Sequence, residues 1–406
     1  MKFIILLISI LIILDIYVYK NFKNSFNISG NTFLYLYIIS ILILIVGASL
    51  YIVGFQSVNL NFKFTANLIF GFGFSLLIAK ILSSSIFVFE DIFRFIKYFI
   101  NLIFSQDVKL ISRNIVVGKI SFVIATITFL AFYYGIIFGK YNYNVKNINL
   151  QVENLPKEFE KFRIVQISDM HLGSFDSKKQ LQKAVNLVQT QNADIILFTG
   201  DMVNNSYNEA VPYIEIFKKL NAPFGKISIL GNHDYALYIH HDNPNLRKNE
   251  VDKLIEVQKK MGFNLLRNEN VVLQKGQDSI IIAGVENWGK PPFPQFGDLA
   301  KATAGLNGQF TILLSHDPSH WDEIIKNFDK KIELTLSGHT HGMQIGFDIF
   351  GFKWSPVKLK YPKWSGLYSE NGKYLYVNVG FGFIGYPGRL GVSPEITVFE
   401  LNSKKK

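Results

Sequence analysis

Five short polar clusters carry residue types that hold metals or move protons: Asp169-Met170-His171, Gly200-Asp201, Gly231-Asn232-His233-Asp234, Ser315-His316 and Gly338-His339-Thr340-His341. Taken singly, each is ordinary. An Asn-His-Asp triplet also makes turns, and a histidine after a strand is usually a hydrogen-bonded rim residue. Together they are not ordinary, because five of the chain's eight histidines fall in them, beside Asp or Gly. The chain has no cysteine, which excludes disulfides, thiolate zinc sites, iron–sulfur clusters and cysteine nucleophiles. Any metal must therefore sit on nitrogen and oxygen. Two divalent cations about 3.5 Å apart need a bridging carboxylate and a few N/O ligands each, and this set supplies them.

The elements that must position these side chains are short apolar runs. Residues 163–168 (RIVQIS), 194–199 (DIILFT), 226–230 (KISIL), 279–283 (SIIIA), 310–314 (FTILL) and 332–336 (IELTL) read as buried strands. All but SIIIA run directly into one of the five clusters. Helical patterns lie between them, one expected from an Asp176 cap through Thr190 and another over Val251–Met261. Strands alternating with helices predict a layered α/β domain, and ligands gather at the carboxyl ends of such strands. The clusters can thus converge although they span roughly 170 residues. Glycines beside Asp201, Asn232 and His339 are expected to permit sharp exits from the strands.

The ordered set D-x-H, G-D, G-N-H-D, a later H and G-H-x-H resembles the calcineurin-like metallophosphoesterase superfamily over about residues 160–400. The context Gly338–Gln344 and the tail from Gly388 to Pro394 are similar to its membrane-anchored bacterial branch. The resemblance implies an αββα sandwich. It also implies two divalent ions (Mn, Fe or Zn), with Asp169, His171 and His341 on the first, Asn232, His316 and His339 on the second, and Asp201 bridging. His233 would serve the leaving oxygen, with Asp234 orienting it. The implied reaction is hydrolysis of a phosphodiester or pyrophosphate by a metal-activated water. Two departures from the family pattern are Asn204, where a second Asp is frequent, and Met343, expected to narrow the loop beneath the metals.

The first half of the chain is different in texture. The whole is 49% apolar and 18% charged, too apolar for one soluble globule. The formal charge of +11 divides unevenly: residues 1–145 hold 11 basic and 4 acidic groups, the remainder 31 and 27. Lys and Arg there read as flanks of membrane segments, not as a nucleic-acid surface, so no nucleic-acid partner is expected. Four spans are expected, 2–19, 33–55, 64–89 and 116–139, with an interfacial helix over 90–104. Residues 1–144 then form the membrane region and 145–406 the catalytic domain. Lys2, Lys63, Lys140 and Lys146 flank one side; Lys20, Lys23, Arg94, Lys97, Lys109 and Arg113 flank the other. The positive-inside tendency puts the C-terminal half on the outer face of a bacterial cell membrane.

A transporter is disfavoured because Asp15, Lys80 and Lys119 read as isolated within or beside the spans. A catalytically idle sensor of metal or nucleotide is the other alternative, and the complete ligand set argues against it. The partner expected is a phosphate ester, lipid-linked where the anchor holds the site near a bilayer. The loops 288–294 (WGKPPFP) and 352–364, the latter mixing Trp354 and Trp364 with four lysines, are candidates for headgroup contact, and Arg389 for phosphate contact or bracing the tail.

Overall fold

The structure, a computed structural model, describes residues 2–28, 32–57, 59–104, 112–241, 243–349 and 352–404. It divides into two units, Met1–Gly54 with Phe64–Ile137, and Phe55–Lys63 with Phe138–Lys406.

The first unit is helical: α1 (Lys2–Phe26), α2 (Thr32–Gln56), α3 (Leu60–Phe104) and α4 (Ile115–Ile137). Among the described residues, Leu34–Gly54, Leu60–Phe104 and Ile115–Tyr141 are long and apolar enough to cross a membrane. Residues 90–104 continue α3 as one helix of 45 residues, where a separate interfacial helix was expected. No Gly or Pro lies between Ser84 and Phe104 to end it. Lys109 falls outside the described residues. Asp15 and Lys80 are not isolated: they form an ion pair at 2.7 Å, and the Lys80 ammonium also donates to Ser40. A charge in an apolar helix is stabilised by such a partner.

The second unit is two six-stranded sheets face to face. The first orders as β1 (Asn144–Val152), β14 (Glu395–Ser403), β2 (Phe162–Ile167), β3 (Ile195–Phe198), β4 (Lys226–Ser228) and β5 (Phe263–Leu265). The second orders as β12 (Gly366–Glu370), β13 (Lys373–Val377), β9 (Leu334–Ser337), β8 (Thr311–Leu314), β7 (Asp278–Gly284) and β6 (Glu269–Lys275). Strands β2 to β5 are parallel, as are β7 to β9, so the ends bearing the polar clusters point the same way within each sheet. All six expected strands are present.

Alternation along these strands builds three layers of core. Ile164, Ile195, Leu197 and Ile227 face Ile312, Leu314, Leu334 and Leu336 between the sheets. Val165, Ile196 and Phe198 face outward, against Leu181, Val185 and Val188 of α5 (Lys178–Gln189) and Leu254 and Val257 of the helix Pro244–Lys260. Leu313 and Val377 meet Trp321 on the other outer face. A strand buried on both faces explains the unbroken apolar runs. Ser177, not Asp176, caps α5 by accepting the N–H of Gln180. Asp176 instead pairs with Lys140 at 2.6 Å, both buried, and accepts from the Tyr141 hydroxyl.

Candidate metal centre

Each polar cluster lies where a parallel strand stops. β2 delivers Asp169 and His171, β3 Asp201, β4 Asn232, β8 His316, and β9 His339 and His341. The turns are tight: Asp169, His171, Asp201, His339 and His341 all have φ between 44° and 71°, a left-handed conformation that costs non-glycine residues energy and is characteristic of functional sites. The neighbouring glycines act chiefly by making room. Gly200 does have φ 94°, but Gly231 is extended, and a Cβ on it would collide with the Asp201 carboxylate. A Cβ on Gly338 would collide with Ser168 and Asp169.

The convergence gives two ligand groups. Asp169, His171 and His341 offer ligand atoms within 4.8 Å of one another, and so do Asp201, His316 and His339. Asn232 joins the second, its Oδ1 2.8 Å from His339 Nδ1. Asp201 touches both: Oδ2 lies 3.2 Å from His316 Nε2 and 3.6 Å from His171 Nε2. His171 Nε2 is 3.0 Å from His341 Nε2, which is 3.3 Å from Asp169 Oδ1.

The chemistry of the donors fits divalent cations. Asn204 Nδ2 donates to Ser174, so its Oδ1 accepts the Nδ1–H of His171 at 3.0 Å. His316 donates Nδ1–H to the Thr199 carbonyl at 2.7 Å. His171 and His316 thus present Nε2 inward, that of His316 buried with no hydrogen-bond partner, whereas His339 turns Nδ1 toward Asn232. Burial pushes His171 down to about 3 and His339 to about 4, which keeps their lone pairs free at neutral pH. Burial also opposes charge on His316, yet the Asp201 and Asp169 carboxylates hold it up at about 10. Two buried carboxylates beside the buried imidazoles make a cavity suited to positive charge.

His233, like His339, is partly exposed. It donates Nδ1–H to the Asn204 carbonyl at 2.7 Å, and its ring lies 4.9 Å from that of His171. Asp234 does not orient it. The Asp234 carboxylate accepts four backbone N–H groups, from Gly231, Asp201, Met202 and Val203, and so shapes the turn carrying Asp201. Arg389 braces backbone: it is buried, donates to the carbonyls of Val379, Gly380 and Gly382, and its Nη2 lies 3.4 Å from His341 Nδ1. Met343 points outward, so it does not narrow the loop.

Sequence reasoning missed Asp317 and Tyr361. Asp317 Oδ2 lies 3.4 Å from His339 Nε2, and Tyr361 Oη 2.9 Å from the same atom. Asp317 directly follows His316, which was a usable signal; nothing local marks Tyr361. The WGKPPFP loop brings Phe293 edge-on to His339 at 4.6 Å, with Lys360 over the Phe293 ring.

Residues 162–343 match the family described as Calcineurin-like phosphoesterase, and residues 1–140 match "Probable Calcineurin-like phosphoesterase, transmembrane domain". An uncharacterized metallophosphoesterase of Bacillus subtilis, YkuE, is 35% identical over 254 residues, 61% of this chain and 82% of that protein. The chain belongs to the calcineurin-like metallophosphoesterases. A metallophosphoesterase of Aquifex aeolicus is 29% identical, over 65% of this chain and 94% of its own length. The UDP-2,3-diacylglucosamine pyrophosphatase LpxG of Chlamydia trachomatis is 31% identical, over 56% of this chain and 81% of its own. This metallophosphoesterase is a membrane protein and a metal-dependent phosphoester hydrolase.

Proposed function

We propose that this metallophosphoesterase hydrolyses a phosphodiester or pyrophosphate bond in a lipid-linked substrate, using two divalent ions. One observation supports the reading: two His/carboxylate groups lie side by side, Asp201 of the second 3.6 Å from His171 of the first, with the Nε2 atoms of His171 and His316 turned inward and held there by hydrogen bonds on Nδ1. Asp169, His171 and His341 would hold one ion, Asn232, His316 and His339 the other, and Asp201 both. Bound ions would activate a water and neutralise charge on the phosphoryl oxygens. Asn204 fixes His171 through its side chain and His233 through its backbone. With Nδ1–H committed, His233 keeps Nε2 for the departing oxygen, and as an imidazolium it would give that oxygen the Nε2 proton. Phe293, Lys360 and Tyr361 line the mouth, where an apolar ring and a cation suit an amphiphilic anion.

The lipid-linked character draws on the membrane helices and on the likeness to LpxG. The flanking charges favour a cell-membrane protein with its catalytic unit outside the cytoplasm. Full-length protein in detergent with added Mn²⁺ should cleave bis(p-nitrophenyl) phosphate and, more efficiently, UDP-2,3-diacylglucosamine. Metal binding without turnover of either compound, or of any phosphomonoester, would defeat the proposal. A C-terminal reporter active only in the cytoplasm would reverse the orientation.

A further inference from the structure

The loop between His341 and Trp364 projects a two-stranded hairpin, β10 (Phe347–Ile349) and β11 (Phe352–Trp354), that belongs to neither large sheet. The antiparallel register pairs Phe347 with Trp354 and Ile349 with Phe352. Cross-strand partners, and residues two apart, share a face, so these four apolar side chains all lie on one side. Asp348 and Lys353 take the other. The four are exposed, Phe352 by 63%, and Leu359 in the following turn is exposed by 88%. An isolated hairpin is marginal in water, and an uncovered apolar face of this kind marks an interaction site.

Charge and chain path identify what covers it. Residues 343–364 contain four lysines and one acidic residue, Asp348. Lys363 is engaged by Asp322 at 2.6 Å, Lys353 pairs loosely with Asp348 at 3.8 Å across the hairpin, and Lys358 adjoins Leu359, so the loop keeps a positive excess. Aromatic and aliphatic groups rimmed by lysine suit the interfacial layer of an anionic bilayer. Asn144 and Lys146, at the start of β1, line the same crevice as Phe347, Asp348 and Lys353. Six residues separate Asn144 from the end of α4.

We propose that the face formed by Phe347, Ile349, Phe352, Trp354 and Leu359 docks on the headgroup layer of an anionic bilayer. Trp364, the other tryptophan of this loop, is buried and takes no part. The same loop begins at the metal-ligating His341, and Tyr361 beyond the hairpin reaches His339, so docking would keep the mouth of the site at the lipid surface.

Because the chain has no cysteine, one introduced cysteine gives a unique label. Full-length Phe352→Cys carrying a nitroxide, in nanodiscs containing phosphatidylglycerol, should be shielded from a water-soluble relaxation agent and accessible to oxygen. That shielding should weaken in phosphatidylcholine nanodiscs. Val272→Cys, exposed on β6 at the far edge of the second sheet, should remain aqueous in both. Position 352 as water-accessible as position 272 in phosphatidylglycerol would overturn the proposal. So would spin–spin broadening showing a second copy against the face. Neither readout depends on turnover.

Discussion

The carboxylate of Asp234 accepts the backbone N–H of Asp201 at 2.9 Å, so one buried acid shapes the turn that aims the other. Its second oxygen accepts Met202 at 2.8 Å. Burial and the neighbouring Asp201 charge pull the Asp234 carboxyl up to about 7, against the four N–H groups that solvate its anion. Asp234→Asn would set an amide donor against those N–H groups. Metal affinity should fall by about 10- to 100-fold with the fold retained, as read by isothermal titration with Mn²⁺. Unchanged affinity would contradict the positioning role.

Asn204 separates two roles that a single deletion would otherwise confound. Its side chain holds His171 and its carbonyl holds His233. Asn204→Ala should lower metal affinity by roughly tenfold or more, yet leave kcat at saturating Mn²⁺ largely intact, because the backbone contact survives. Asn204→Asp restores an acceptor with a full charge and should bind metal at least as tightly as the parent. An equal loss in both variants would show that the side chain acts only in packing.

If His233 serves the leaving oxygen, its loss should matter most when that oxygen is basic. His233→Asn is expected to reduce kcat by about 10²-fold or more on an alkyl phosphodiester, and much less on a p-nitrophenyl ester. Metal content should be unchanged. A uniform loss on both esters would assign His233 to binding.

What was readable in the sequence follows a physical division. The strands carrying the ligands are buried on both faces, so Ile195–Phe198 and Thr311–Leu314 announce themselves as apolar runs, and the ligands follow within a few residues. Edge and hairpin strands such as β6, β10 and β12 carry mixed, half-exposed residues and leave no such trace. Through-space relations were also invisible. Nothing in the spacing pairs Asp15 with Lys80, brings Tyr361 onto His339, or turns Asp234 toward backbone and away from His233. Capping is a local rule and so points to Asp176, whereas its partners Lys140 and Tyr141 lie 35 residues or more away in the chain.

The Lys140–Asp176 pair lies within the second unit, which includes Phe138–Lys406. Removing one partner of a buried ion pair strands the other, at a cost of about 3–5 kcal/mol. Lys140→Met should lower the melting temperature of the full chain clearly. A fragment beginning at Phe138 should be more stable than one beginning at Lys146. Equal melting temperatures for the two fragments would show that the pair adds nothing to the fold.

The most direct test of the two-ion site is a titration of metal-stripped, full-length protein with Mn²⁺. Bound ions per chain would be counted by mass spectrometry, alongside hydrolysis of bis(p-nitrophenyl) phosphate. Activity should rise as the second ion binds and saturate at about two per chain, and Asp201→Ala should abolish it. Full activity at one ion per chain, or normal turnover by the Asp201 variant, would contradict the shared site.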